Sequence, residues 1–312
     1  MTFRTTVNRG RDRLLIALEA ARDAGRYMRY AGLSDRGVTG RPQGHNLEAQ
    51  LTKDYHRVEK GLTLRDPKRP FGDAVKGRLE TFGEVAREAQ REDLVGADGH
   101  VTTALAALHQ WNSGGGVSDD IAPAGRTIEP LAVEDARRLF MERHSLRNFD
   151  ADRTVDRETL EEALRFTSHT PSVCNRQSGR IHLVNDRDRV QAVLQVQAGS
   201  AGFRETIPHV AVVTAETGLF TGAGERNQVW IDGGLMAMTF VWALQSLGVH
   251  TCMLNWSKRN HLSDRLREVV EIPGSESIIC VVAFGYPPVE GHRVARSPRR
   301  ALADYTTGIE SF

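Results

Sequence analysis

Arg143-His144-Ser145-Leu146-Arg147, Pro171-Ser172-Val173-Cys174-Asn175-Arg176-Gln177 and Ser297-Pro298-Arg299-Arg300 are three short stretches, far apart in a chain of 312 residues, whose chemistry fits together. The first and third set arginines beside serines. A guanidinium is a planar fork that matches two phosphate oxygens and keeps its charge at physiological pH. The middle stretch opens on a proline that favours a turn, and it offers Ser172, Asn175 and Gln177. One hydroxyl and two amides suit the polar edge of a flat heteroaromatic ring. Arg143 and Arg147 alone would fit a solvated turn past a helix end; the ordered set of three stretches points instead to a phosphate ester.

Further along, Asp232-Gly233-Gly234-Leu235 opens an apolar stretch that ends at Gln245-Ser246-Leu247-Gly248, and Val249-His250-Thr251-Cys252-Met253-Leu254-Asn255-Trp256 follows. With this series in order, the chain from about Ile128 to Phe312 resembles the nitroreductase family of FMN-dependent oxidoreductases. The resemblance implies an α+β fold, a central mixed β-sheet flanked by helices, in a homodimer whose flavins lie at the subunit interface. It implies FMN as cofactor, NAD(P)H as co-substrate and a small organic acceptor, of nitro or quinone type in vitro. Carried over by position, it gives the phosphate and ribityl chain to Arg143, Ser145, Arg147, Arg299 and Arg300, with His144 in the same cofactor-binding stretch. Pro171, Ser172, Asn175 and Gln177 line the pyrimidine edge of the ring, and Leu254, Asn255 and Trp256 lie near its reactive nitrogen. Chemistry of this kind belongs to the cofactor, so no catalytic acid, protein nucleophile or metal is assigned. Many members have Pro and Trp after the Gln of the second motif, whereas Ser178 and Gly179 stand here, so the substrate-side wall differs. Glu225-Arg226-Asn227-Gln228, Ile231-Asp232-Gly233-Gly234 and Leu254-Asn255-Trp256 are similar to a subgroup associated with bacterial exopolysaccharide gene clusters.

A hydrophobic content of 40% over this length suffices for one large or two ordinary domains. The formal net charge of +1 gives no field that demands nucleic acid or a membrane as partner. From Met1 to Arg41, nine arginines face Asp12, Glu19, Asp23 and Asp35, which reads as a solvated basic helix or as a surface for an acidic partner. Leu14-Leu15-Ile16-Ala17-Leu18 is too short and too interrupted for a signal peptide, and no stretch is long enough to span a bilayer, so a cytoplasmic protein is expected. Cys174, Cys252 and Cys280 lack C-x-x-C spacing; the last two read as core thiols and Cys174 as space-filling within its turn.

Helical spacing covers Arg13 to Tyr30, Asn46 to Lys60, Gly77 to Arg91 and Gly96 to Gly116, and the Gly114-Gly115-Gly116 run begins a linker. The expected division is a helical N-terminal region, 1–126, and a flavin-binding domain, 127–312. In the second, Asp156 caps a helix, Arg180 to Val184, Pro208 to Thr214, Val249 to Leu254 and Ser277 to Phe284 read as strands, and Gln228 to Leu247 reads as a core or dimer helix, apolar on nearly every side. His56, Glu59 and Lys60 before Gly61 read as a local ion pair at a helix stop, or as a contact with a partner subunit or the flavin cavity. Gly222-Ala223-Gly224-Glu225-Arg226-Asn227 lacks the last glycine of a dinucleotide fingerprint, and no G-x-S-x-G elbow occurs. Two other functions stay open: a flavin-dependent dehydrogenase or tailoring enzyme of a biosynthetic pathway, and a non-catalytic scaffold that keeps the fold.

Overall fold

The computed structural model describes residues 3–32 and 42–311; Asp35, Arg36 and Arg41 of the basic N-terminal stretch lie outside the described residues. Five helices come first: α1 (Phe3–Tyr30), α2 (Gly44–Leu62), α3 (Asp73–Glu88), the single turn α4 (Glu92–Val95) and α5 (His100–Asn112). After an irregular segment come α6 (Val133–Met141), α7 (Arg157–Ser168), β1 (Gly179–Val184), α8 (Arg187–Gln197), β2 (His209–Glu216), α9 (Gln228–Ser246), β3 (His250–Asn255), α10 (Asn260–Val270) and β4 (Glu276–Gly285).

The strands form one sheet in the order β1-β2-β4-β3, with antiparallel pairing at every ladder. Among the described residues, parallel pairing occurs only as two isolated bridges, Ser145 with Thr251 at the β3 edge and Gly32 with Thr221 away from the sheet, so the ladders of the expected mixed sheet are all antiparallel. All of β2 is buried, as its run of apolar residues requires when helices cover both faces. Alternate residues serve the two sides: Val210 and Val212 meet Val193, Leu194 and Leu266 of α8 and α10, while Ala211 and Val213 meet Phe240, Val241 and Leu244 of α9. Asp156 and Asp186 cap α7 and α8 by accepting from the backbone N–H of Thr159 (2.8 Å) and Arg189 (2.9 Å).

Helix α9 is not buried all round. Its inner face fills the core, but Trp230, Ile231 and Leu235 are about half exposed. The apolar content of this helix thus exceeds what the chain itself covers.

Helices α2 to α5 build a separate apolar cluster around Leu51, Val58, Leu79, Phe82 and Leu108. Gly61 does not stop α2, which runs to Leu62 and closes through Thr63. A Cβ at Gly61 would come within 2.6 Å of the Phe71 ring, so the glycine permits close packing rather than a cap. His56 Nδ1 and Glu59 Oε2 do pair, at 2.8 Å.

The N-terminal helices are docked on the sheet region. Tyr27 donates its hydroxyl to Gly222 O (2.7 Å), and Gly32 exchanges backbone bonds with Phe220 (2.9 Å) and Gly222 (2.8 Å). Arg26 reaches Gly274 O, and Glu19 accepts from the backbone and side chain of Asn260. Burial pushes the Tyr27 hydroxyl up to about 12, so it stays a donor at any physiological pH. Helix α2 packs against the turns at 173–175 and 217–219, the first of which lies inside the second sequence motif.

Candidate functional site

The second motif folds into a strained turn. Cys174, Asn175 and Gln177 have φ of +50°, +53° and +48°, a region L-residues with side chains rarely adopt. Such backbone persists only where the surroundings hold it. Here Arg176 and Asp232 do so. The Arg176 side chain is fully buried and pairs with both oxygens of Glu225 (2.9 and 2.5 Å), while also donating to Leu219 O (2.8 Å) and Val173 O. Asp232, 2% exposed in α9, accepts from Val173 N (3.2 Å), Ser178 Oγ (3.4 Å) and Gln228 Nε2 (2.8 Å). Ser172 Oγ accepts from Gln177 N at 2.9 Å and closes the loop.

This scaffold leaves Pro171, Asn175 and Gln177 exposed and Ser172 half-buried. A cavity of about 170 Å³ lies beside them, lined by Thr170, Pro171, Ser172, Gln177, Asp232 and Met236 among others. That is below the roughly 300–1,000 Å³ of an ordinary ligand site. Cys174 is half-buried in the same turn. Sequence reasoning missed Arg176, Glu225 and Asp232 as supports. The available signal was Asp232 itself, a lone acid in an apolar helix, which needs partners.

The first motif runs beside the start of β3. Leu146 is buried and donates its N–H to Thr251 O (2.9 Å), which fixes the neighbouring residues against the sheet edge. Arg147 is exposed, and Arg143 and Ser145 are half-buried. Cys252 lies beneath them; burial pushes its thiol up, against the opposing influence of Arg147, Ser145 and Arg143. It stays protonated, as does Cys280, pushed up to about 12 by burial alone. Both are core thiols, as expected.

At the far end of β3, Leu254 is buried, Asn255 is exposed, and Trp256 is half-buried with Nε1 donating to Ser263 Oγ (2.9 Å). From Thr251 to Asn255 is four strand steps, about 13 Å. The structure therefore places the Arg143–Arg147 stretch and Leu254-Asn255-Trp256 at the two ends of one strand. Arg299 and Arg300 are exposed on the C-terminal tail, where Arg299 donates to Ser297 O (2.6 Å); no described contact joins them to the first motif.

The two best-defined motifs do not meet within the chain. The register aligns Gly179 with Ala215 and Ser277 across the sheet, and Thr251 with Phe284 and His209. The second motif thus leads into the start of β1 at one edge, and the first lies at the diagonal corner beside β3. The separation is on the order of 20 Å, from strand spacing and rise. A larger groove of about 1300 Å³ runs between α1 and the sheet region, but Trp256 is the only one of the thirteen candidate residues that lines it.

Comparisons with known proteins agree with this fold. The model of the nitroreductase family matches residues 140–201 and 189–286, and this part of the chain belongs to that family. A protein of Archaeoglobus fulgidus, provisionally named NADH dehydrogenase/NAD(P)H nitroreductase, is 25% identical over 162 residues, 51% of this chain and 88% of its own length. The solved structure of ydfN from Bacillus subtilis, provisionally named a nitroreductase, superposes with a TM-score of 0.50 at 17% identity, over 57% of this chain and all of its own. A nitroreductase-like protein of Streptococcus mutans gives a TM-score of 0.47 at 16% identity, over 57% of this chain and 98% of its own.

Proposed function

We propose that this chain is an FMN-dependent NAD(P)H oxidoreductase whose flavin site is completed by a second copy of the chain. One observation carries the reading: the phosphate-type motif and the strained amide-bearing turn lie at diagonal corners of the sheet, whereas the phosphate-type motif and Leu254-Asn255-Trp256 lie at two ends of β3. An elongated cofactor with a phosphate at one end and a ring at the other fits along that strand. The turn that finishes the ring's polar edge then comes from the partner.

The residues present suit the group. Arg143, Ser145 and Arg147 hold the phosphate by charge-assisted bonds, with Arg299 and Arg300 of the tail closing on it. His144 takes part through its main chain, since its ring is engaged with two other histidines. Pro171, Ser172, Asn175 and Gln177 present fixed dipoles to the ring, and the strained backbone at Asn175 and Gln177 is the pre-organisation that a charge-stabilising site needs. FMN, when bound, supplies the two-electron chemistry that carries hydride from a nicotinamide to a small organic acceptor. The protein orients, excludes water and selects.

The exposed Trp230, Ile231 and Leu235 of α9 support a homodimer. We place the boundary of the flavin-binding domain at 126/127, with the N-terminal helices backing the strained turn through α2. Among the described residues no helix is long and apolar enough to cross a membrane, and a cytoplasmic location fits. The test is an FMN titration followed by anaerobic addition of NADH or NADPH. Binding with loss of the yellow absorbance supports the reading. Bound flavin that neither nucleotide bleaches, or no binding, overturns it.

A further inference from the structure

Three histidines from remote parts of the chain converge outside the set of flavin-facing side chains. His144 comes from the first motif, His250 from the start of β3 and His292 from the C-terminal tail. Their ring centroids lie 5.1 to 5.5 Å apart, and one nitrogen of each lies within 4.8 Å of the others. The rings are half-buried, so the cluster is neither a core packing element nor a loose surface group.

The hydrogen bonds define where the lone pairs point. His144 Nδ1 lies 2.8 Å from Glu142 O, a carbonyl that can only accept, so Nδ1 carries the proton and Nε2 presents its lone pair. That Nε2 faces His292 Nε2 at 2.9 Å. His250 Nδ1 is buried with no hydrogen-bond partner among the described residues. A histidine whose second nitrogen is fixed by a backbone carbonyl, aimed at two more imidazoles, is the arrangement that metal-ligating histidines show.

We propose that His144, His250 and His292 bind a zinc ion that clips the C-terminal tail to the edge of the sheet. Three neutral imidazoles suit Zn²⁺ rather than Mg²⁺ or Ca²⁺, which take oxygen ligands. At about 2.0–2.1 Å per Zn–N bond, tetrahedral donors stand roughly 3.4 Å apart, so the widest pair needs to close by roughly 1–1.5 Å. Side-chain rotation in half-buried rings supplies that. The fourth position is left to water. No spacing in the sequence announces the site, because its ligands lie 106 and 42 residues apart and only the fold brings them together. The ion would anchor the tail a few residues before Arg299 and Arg300.

The test uses full-length protein without a histidine tag, stripped with a chelator and titrated with Co²⁺ and then Zn²⁺. Expected is one Co²⁺ per chain with the intense visible bands of tetrahedral coordination, displaced by one Zn²⁺. His292→Ala and His250→Gln should each weaken Zn²⁺ binding by tenfold or more. Zinc should also slow proteolysis of the tail after Gly285 in the wild type and not in His292→Ala. Circular dichroism in chelator checks that each variant folds, and either variant suffices. Less than one ion per chain, weak octahedral Co²⁺ bands, or equal affinity in wild type and a folded variant would overturn the proposal.

Discussion

Arg176 and Glu225 meet as a two-pronged pair, Nη1 to Oε2 at 2.9 Å and Nη2 to Oε1 at 2.5 Å, with the guanidinium wholly buried and the carboxylate 23% exposed. The pair ties the strained 172–177 turn to the segment that enters α9. Glu225 also accepts from Thr221 N (2.6 Å), so one carboxylate organises two loops. Removing it strands a buried cation, which costs about 3 kcal/mol or more. Glu225→Ala should therefore lower unfolding stability by that order in urea titration and weaken FMN binding with it. A variant as stable as wild type would show that the turn is held by other contacts.

The phosphate grip makes a separable prediction. Arg147 is exposed and takes no part in the core. Arg147→Ala or Arg299→Ala should each weaken FMN binding by about 1–3 kcal/mol, the range for lost charge-assisted bonds, and leave the apo melting temperature nearly unchanged. Flavin fluorescence titration reads both. Wild-type affinity in both variants would remove these arginines from the site.

His209 gives a pH dependence. It is buried beside Phe284, its Nε2 accepts from Val155 N (3.1 Å), and burial lowers its pKa below 6.5. An accepting nitrogen must be unprotonated. With the folded value below the unfolded one, the unfolded chain binds more protons, so this residue's contribution is intact above pH 6.5 and is lost as pH falls towards the folded value. Denaturation measured from pH 7.5 to 5.5 should show falling stability in that direction, with a flatter profile in His209→Gln. Identical slopes would exclude His209 as the source.

The outer face of α9 predicts assembly. Ile231 is 52% exposed between Trp230 and Leu235. Ile231→Asp puts a charge into a contact that would otherwise bury apolar surface, so it should produce monomers at micromolar concentration in light scattering and shed flavin in the same range. A flavin-loaded dimer of that variant would put the interface elsewhere.

Much of the fold was legible because its signals are local. The runs Pro208 to Thr214 and Ser277 to Phe284 read as strands whatever surrounds them, and Asp156 reads as a cap from the acid-rich helix that follows it. Gly61 misled because a glycine at a helix end has two physical uses, and which applies depends on Phe71, ten residues on. The motifs of the site were legible as motifs, but their supports were not. Arg176 and Asp232 are defined by partners 49 and 59 residues away, distances over which sequence carries no spacing rule. Nor could sequence say that Arg147 and Asn175 lie at diagonal corners of one sheet, which is the ground for the proposed second copy.

Mixed dimers test that central claim most directly. Arg147→Ala removes the phosphate end and Asn175→Ala the ring edge, and each homodimer should hold FMN weakly. If every site takes Arg147 from one protomer and Asn175 from the other, the heterodimer, co-expressed with two different tags and isolated through both, regenerates one wild-type site and one doubly altered site. The account predicts half-stoichiometric FMN at wild-type affinity, bleached by NAD(P)H under anaerobic conditions. A heterodimer that binds as poorly as either parent would contradict it.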